Sequence, residues 1–349
     1  MSDSEINIFA DLHHGDLYFS LHCMLEKRMK FNLYRPIGFD WFDNGYWQIA
    51  KPYNHARDTV GQYLNIGDSK WDQFKNLNGN YQETDGVYHI WEPVHGYHQK
   101  AITFEKFKSM KFDVIMPTVD LHDHCYEDLR NKFQPKAKII AHLGNTGQVT
   151  HLPNVMHSVP YRARPGQNTV LVHQELDSDL YKFQLPNPNT RNIYSMVNCY
   201  PYPHIYNKYK SLMTDVNWKY HGGGSPDGAL FGCRGVAEKM VEANIGWQLK
   251  PQGGLGHTAM GWIYSGRPVI TNMSQNRSWG GAALRLFEPG VTCHDIEAHS
   301  EAENVRLIQR MLEPEENARW SERTRARFLE VINYEAEEAA FRKFYENLK

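Results

Sequence analysis

The 349-residue sequence has few cysteines, no long apolar run and no surplus of charge of either sign. Its 5 cysteines are scattered and lack the paired spacing of a metal site, which indicates free thiols in a reducing compartment; they are Cys23, Cys125, Cys199, Cys233 and Cys293. No apolar run reaches the ~20 residues that a membrane-spanning helix needs. The first residues also lack the basic and apolar regions of a signal peptide. These absences predict a cytoplasmic protein.

The formal net charge of -2 excludes an overall basic field that would steer the protein to nucleic acid or to an anionic membrane. A local basic groove is still compatible with that charge. A length of 349 residues favours two domains over one, and 41% apolar residues are enough for two cores.

Strand-like and helix-like segments alternate through most of the chain. An apolar strand at 6–10 leads into a helical pattern from Leu17, and buried strands at 112–119 and 137–144 flank a further helical segment. The alternation begins again after 192 and continues to about 272. This order predicts an α/β protein with two Rossmann-like domains, each with a parallel sheet covered by helices.

The domain bounds follow from composition. Residues 184–192 contain two prolines and three asparagines, which predicts a linker. We therefore expect an N-terminal domain over 1–186 and a second domain over 187–314. The segment 315–349 is predicted to form one long C-terminal helix that packs back on the first domain.

Residues 32–105 interrupt the regular pattern. They are rich in aromatic residues and show no clear period; the tryptophans are Trp41, Trp47, Trp71 and Trp91. Long insertions in compact domains often carry binding function, and aromatic faces stack on sugars and on nucleobases. The alternative is a loop-rich subdomain that simply packs its own aromatic side chains.

A glycine-rich turn lies between a short strand pattern ending near Lys250 and a helical pattern that begins at His257. Free backbone N–H groups at a helix start favour an anion, glycine allows close approach, and lysine adds a positive charge. The turn therefore predicts a phosphate site, although a tightly packed strand-to-helix turn would have the same composition. The predicted site residues are Lys250, Gly253, Gly254, Gly256, His257 and Thr258.

The continuation of this turn resembles the donor-binding segment of the two-domain glycosyltransferases with the GT-B architecture. Residues 265–270, Ser-Gly-Arg-Pro-Val-Ile, match the small-Gly-x-Pro-Val-Ile ending found in many of those enzymes, and residues 193–275 match their order of elements. The resemblance implies two Rossmann-like domains facing across a cleft. It also implies a nucleotide-sugar donor, with a UDP-sugar expected, and no other cofactor.

Two further features follow from the resemblance. Gly223, in a second glycine turn at 221–228, would lie beside the donor. Many family members carry glutamates that bind the ribose and the sugar, but those places fall at Gly261 and Gly253 here. Lys250 and the helix start, rather than a metal, would neutralise the leaving diphosphate.

Polar residues follow two predicted strands of the first domain and belong to the acceptor side in this resemblance. Transfer with inversion needs a base, for which His14, Asp16 and His13 are candidates, whereas transfer with retention needs none. Asp16 also suits the N-cap of the following helix. Asp11, Asp120 and His122 would hold the acceptor, which is a sugar, a small molecule or, as in bacteriophage enzymes, a hydroxymethylated DNA base.

Two hypotheses of other classes stay open. Asp-x-His after a first strand is how dinuclear metallophosphoesterases begin, and Asp120, His122, Asp123 and His124 align loosely with a later motif of that family. The full set of its motifs is missing. A non-catalytic nucleotide-binding module would use the same glycine turn without turnover.

Overall fold

The computed structural model describes residues 6–10, 15–36, 81–92, 96–118, 123–144, 147–197, 203–222, 225–228, 230, 232–250, 256–279 and 282–349. The chain divides into two compact units. Unit 1 comprises 1–175 with 334–349, and unit 2 comprises 176–333. Among the described residues, no helix is long and apolar enough to cross a membrane.

The strands of unit 1 run from β1 to β10. They are β1 (Asn7–Ala10), β2 (Asn32–Pro36), β3 (Tyr81–Thr84), β4 (Val87–Glu92), β5 (Tyr97–Ile102), β6 (Val114–Met116), β7 (Lys138–Ile139), β8 (Ala141–Leu143), β9 (Asn154–His157) and β10 (Asn168–Leu171). The spatial order is β3-β4-β5-β2-β1-β6-β7 in one sheet and β10-β9-β8 in another. From β5 to β10 all neighbours are parallel, which confirms the predicted sheet type.

The two sheets of unit 1 are joined through one extended segment. Ile140 N donates to Ile115 O at 3.0 Å and His142 N donates to Pro117 O at 2.8 Å, so β7 and β8 both run along β6. β8 then pairs with β9 on its other side. The result is one continuous sheet with β1 and β6 near its centre.

Helices cover this sheet. They are α1 (Gly15–Leu21), which continues as a π-helical segment over His22–Arg28, α2 (Phe104–Ser109) and α3 (Asp123–Phe133). The core between sheet and helices is aromatic, because the Phe9 ring lies 4.7 Å from Phe107 and 5.5 Å from Phe112. Tyr126 of α3 packs on the same cluster.

The prediction of an irregular segment over 32–105 is wrong for the part that the structure describes. β2 pairs with β1 in parallel, and β3 and β4 form an antiparallel hairpin beside β5. Polar residues in β2 and β5, such as Arg35 and Gln99, hide the strand pattern in the sequence. Residues 37–80 and 93–95, which include three of the tryptophans named above, lie outside the described residues, so their role stays a prediction.

Unit 2 contains a single parallel sheet of β11 (Asn192–Ser195), β12 (Asn217–Tyr220), β13 (Ile245–Trp247), β14 (Val269–Thr271) and β15 (Cys293–Asp295). Its order is β12-β11-β13-β14-β15. The first helices are α4 (Pro203–Leu212), α5 (Gly232–Glu242), α6 (His257–Tyr264) and α7 (Met273–Trp279), with a 3-10 turn over Ala282–Leu286. The core of unit 2 contains Trp218 and Trp247, and their rings lie 5.4 Å apart.

Three helices complete the chain: α8 (Glu301–Met311), α9 (Pro314–Val331) and α10 (Tyr334–Glu346). The single C-terminal helix predicted over 315–349 is therefore two helices, because Ile332 takes an extended conformation (φ -118°, ψ 118°). α9 belongs to unit 2 and α10 to unit 1. Asn168 of β10 donates to Asn347 O at 3.2 Å, which fixes the end of α10 on the first sheet.

The segment 184–192 is part of unit 2 rather than a free linker, and the units divide at Glu175 and Leu176. Thr190 Oγ1 donates to Asn244 Oδ1 at 3.0 Å, and Asn192 N donates to the same oxygen at 2.8 Å. The segment that reads as a turn in the sequence is thus bonded to a buried side chain that lies far along the chain.

Candidate functional site

The strand order of unit 2 marks one place for a ligand. From β11 the chain crosses to β12 on one side and returns to β13 on the other, so the order reverses between β11 and β13. In open parallel sheets, ligands bind outside the carboxyl ends of the strands at such a reversal. Lys250 and the first glycine turn follow the end of β13, and the second glycine turn follows the end of β12, the other neighbour of β11.

The backbone that leads from β13 to Lys250 is held by residues at the end of β14. Thr271 Oγ1 donates to Gln248 O at 3.0 Å, and Asn272 Nδ2 donates to Lys250 O at 3.1 Å. Asn276 Nδ2 in turn donates to Thr271 Oγ1 at 2.8 Å. The position of Lys250 is therefore fixed before the glycine turn begins. The sequence analysis missed these three side chains, which carry no motif.

The start of α6 has the form that an anion site needs. Gly256 is the N-cap, in extended conformation (φ -95°, ψ -166°), and supplies no side-chain cap. The first turn of α6 contains no acidic residue. Gly253 and Gly254 lie outside the described residues, so the predicted turn is described only at Lys250, Gly256 and the helix start.

His257 is packed into unit 2 as well as lying at the start of α6. Its Nδ1 lies 3.8 Å from Cys233 Sγ in the first turn of α5, and its ring meets Tyr181 edge to face at 5.7 Å. His257 and Cys233 thus bring the starts of α5 and α6 together at the same end of the sheet. Thr258, one residue on, is half-buried. Phosphate binding by His257 and Thr258 stays a prediction.

The second glycine turn is held close to β11. Tyr220 N donates to Asp227 Oδ2 at 2.8 Å, and Gly222 N donates to Ser225 Oγ at 2.9 Å. A Cβ added at Gly222 would lie 2.3 Å from Val197 O, so only glycine fits where the turn passes the end of β11. Gly223 lies outside the described residues.

Gly261 explains one departure from the resemblance. It occupies the place where many GT-B enzymes carry the ribose-binding glutamate. A Cβ added there would lie 2.9 Å from the Tyr181 ring and 3.0 Å from Met240 Sδ. A side chain at this position has no space, so this fold excludes a glutamate there.

Arg267, the variable residue of the Gly-x-Pro ending, has a structural role within unit 2. It is fully buried, and its guanidinium donates to the carbonyls of Gln184, Ser265 and Val241 at 2.7 to 3.1 Å. Burial lowers its pKa to about 10. The motif that carries the resemblance thus joins α5, α6 and β14 and does not itself reach the sheet end where the ligand would lie.

Unit 1 also has a reversal of strand order, between β1 and β6. Residues 11–14 follow β1 and residues 119–122 follow the end of β6 in sequence, so topology associates both predicted loops with one sheet edge. His13, His14, Asp11, Asp120 and His122 lie outside the described residues. Asp16 is the second residue of α1. Their roles stay predictions.

Comparison with known proteins gives a fold and no close relative. No family model and no curated protein matches the sequence. TarM matches with a TM-score of 0.60 and 9% identity over 99% of both chains. The catalytic domain of starch synthase IV from Arabidopsis thaliana gives 0.58 and 9% over 99% of both, and sucrose-phosphate synthase from Thermosynechococcus elongatus gives 0.52 and 12% over 98% of both. The chain has the GT-B fold.

The GT-B fold confirms the resemblance that residues 193–275 indicated and the predicted α/β class with parallel sheets. The structures named above are glycosyltransferases, and their lengths match that of this chain almost completely.

Proposed function

We propose that the protein transfers a sugar from a nucleotide-sugar donor to a hydroxyl group of an acceptor. The observation that carries the proposal is the position of Lys250 and of the uncapped start of α6 beside the strand reversal of a GT-B second unit. Starch synthase IV was solved with ADP and acarbose, and TarM from S. aureus with UDP, α-GlcNAc-glycerol and Fondaparinux. We propose a UDP-sugar as the donor.

In this proposal the diphosphate lies at the start of α6. Lys250 gives the positive charge, Gly253 and Gly254 allow close approach, and the N–H groups that begin at Gly256 donate to phosphate oxygens. His257 and Thr258 complete this shell, with Gly223 on the neighbouring turn. These fixed donors neutralise the charge of the leaving diphosphate, so the transfer step itself needs no metal.

The chemistry forms one C–O bond and breaks another. The acceptor oxygen bonds to the anomeric carbon, the bond from that carbon to the phosphate oxygen breaks, and the nucleoside diphosphate leaves with the electron pair. For transfer with inversion, His14 or Asp16 takes the acceptor proton, and His13 stands beside them in sequence. Asp11, Asp120 and His122 are proposed to position the acceptor.

The donor site is tested by replacing its lysine. Lys250→Ala should weaken UDP affinity about tenfold or more, because a charge-assisted bond to phosphate is worth about 1.5–3 kcal/mol. Lys182→Ala is the matched control, since Lys182 is exposed in the same unit and forms no ion pair with the described residues. The measurement is thermal stability with UDP, ADP and GDP, where a ligand at 100 times its Kd adds about 2.7 kcal/mol.

Unchanged UDP affinity in Lys250→Ala would refute the site, and a response to ADP alone would change the donor. Turnover separates an enzyme from a binding module. Release of UDP from UDP-sugars should fall at least a hundredfold in His14→Ala or Asp16→Ala if the transfer inverts. Binding without any release of UDP, with or without acceptor, would favour the module.

A further inference from the structure

A cluster of metal-ligand side chains lies on unit 1, outside the site described above. His124 and Glu127 are three residues apart on α3, so they share one helix face. His151 approaches them from the loop before β9. One ligand atom from each of the three side chains lies within 4.8 Å of the others.

The side chains of the cluster already lie close to one another. The His124 and His151 rings stack at 4.3 Å with an interplanar angle of 18°, and His151 Nε2 lies 3.0 Å from Glu127 Oε2. Ligand atoms of a tetrahedral zinc site lie roughly 3.4 Å apart, given Zn–N bonds of about 2.0–2.1 Å. His124 and His151 are exposed, and their side chains would have to rotate for the ligand atoms to reach that spacing.

A buried carboxylate stands behind the cluster. Asp123 is 1% exposed, its Oδ2 accepts a short hydrogen bond from Thr150 Oγ1, and the same oxygen lies 3.9 Å from His151 Nδ1. Thr150 Oγ1 also accepts from Leu152 N at 3.0 Å, which fixes the loop. A carboxylate on the far nitrogen of a metal-binding histidine orients the ring and raises its basicity. No local sequence pattern indicates this role for His151, because its partners lie far away in the chain.

We propose that His124, Glu127 and His151 bind a zinc-class divalent cation, with Asp123 as a positioning residue and water in the fourth place. Two imidazoles and one carboxylate suit Zn²⁺ better than Mg²⁺ or Ca²⁺, which prefer oxygen ligands alone. The ion would join the first turn of α3 to the loop at 150–151. This inference does not depend on the proposed transferase activity.

The test uses the full chain after treatment with EDTA. Calorimetric titration with Zn²⁺ should show one site, and Glu127→Gln should weaken it at least tenfold, since even second-shell changes cost 10–100-fold. His151→Gln should do the same. His89→Gln is the control, because His89 is exposed on β4 of the same unit and stands outside the cluster.

Asp123→Asn separates positioning from ligation. It should weaken Zn²⁺ binding about 10–100-fold while the visible absorption of bound Co²⁺ keeps its tetrahedral form, whereas Glu127→Gln should change that form. Circular dichroism of each variant shows whether it folds, and because Glu127 is only half-buried, its variant is safer than that of the buried Asp123. Failure of the parent chain to bind Zn²⁺, or equal affinity in parent and Glu127→Gln, would overturn the proposal.

Discussion

Unit 2 and unit 1 each contain a buried polar network, and the two networks differ in charge. In unit 2, the network is formed by amide groups. Asn244 Oδ1 accepts from Asn192 N and Thr190 Oγ1, and Asn244 Nδ2 donates to Asn317 Oδ1 at 3.1 Å. Amides satisfy donors and acceptors together and do not titrate. This network joins the start of β11 to α9 without charge.

In unit 1, the network contains an ionisable group. Arg35 on β2 is 3% exposed, and its Nε donates to Gln99 Oε1 at 2.6 Å; Gln99 Nε2 donates to Tyr97 OH at 2.6 Å. Burial lowers the pKa of Arg35. A buried charge costs free energy whenever a partner is lost. The comparison therefore predicts that the Arg35 network responds more strongly than the Asn244 network to loss of one polar partner.

Gln99→Leu should have the largest effect. It removes the acceptor of Arg35 Nε and leaves the guanidinium buried, which costs about 3–5 kcal/mol of unfolding free energy. Gln82→Leu is the control, because Gln82 is exposed on β3 of the same unit. Urea unfolding followed by far-UV circular dichroism measures both. A loss below ~1 kcal/mol in Gln99→Leu would remove the basis of the comparison.

The same buried charges limited what the sequence could predict. Apolar runs identified β6, β13, β14 and α6, because each of these elements meets its core with a regular apolar face. β2 and β5 carry Arg35 and Gln99 in core positions. These polar side chains can be buried there because they hydrogen-bond to each other across the sheet. The break after Val331 was also missed, since neither proline nor glycine marks it.

The candidate site also contains some residues that a sequence motif reveals and others that only the structure reveals. The glycine turn and Lys250 could be found because phosphate chemistry needs those residue types together. Thr271, Asn272 and Asn276, which fix Lys250, are common polar residues whose task depends on β14 lying beside β13. Such supporting side chains depend on tertiary structure and leave no local pattern.

Asn244→Leu should have an intermediate effect. It leaves the donors of Asn192 and Thr190 without their shared acceptor, and each unsatisfied buried group costs about 1–3 kcal/mol. The loss should be the same at pH 5 and pH 8, since no charge is involved. Asn189→Leu, at an exposed position of the same segment, is the control. A loss that varies with pH would show that the amide network is coupled to an ionisable group.

Measured per pH unit, the smallest effect is expected at Glu175, where unit 1 ends. Its Oε2 accepts from Arg28 Nη2 at 2.6 Å, while Arg28 Nε lies 3.7 Å from Glu338 Oε2. Burial raises the pKa of Glu175 to about 7 in spite of Arg28, and the nearby charges of Glu337 and Glu338 add to the increase. The folded chain thus keeps a proton that the unfolded chain loses near the usual pKa of 4.5.

Because the folded state binds this proton more tightly, the unfolding free energy should fall as pH rises from about 4.5 to about 7, with a slope of at most about 1.4 kcal/mol per pH unit. Glu175→Gln should flatten the curve in that window, since glutamine mimics the protonated form. Glu335→Gln, exposed on α10, is the control and should leave the slope unchanged. Urea unfolding at a series of pH values measures the slope. An equal slope in Glu175→Gln and the parent would mean that Arg28 keeps this carboxylate charged, and the pH response of unit 1 would then have to come from other groups.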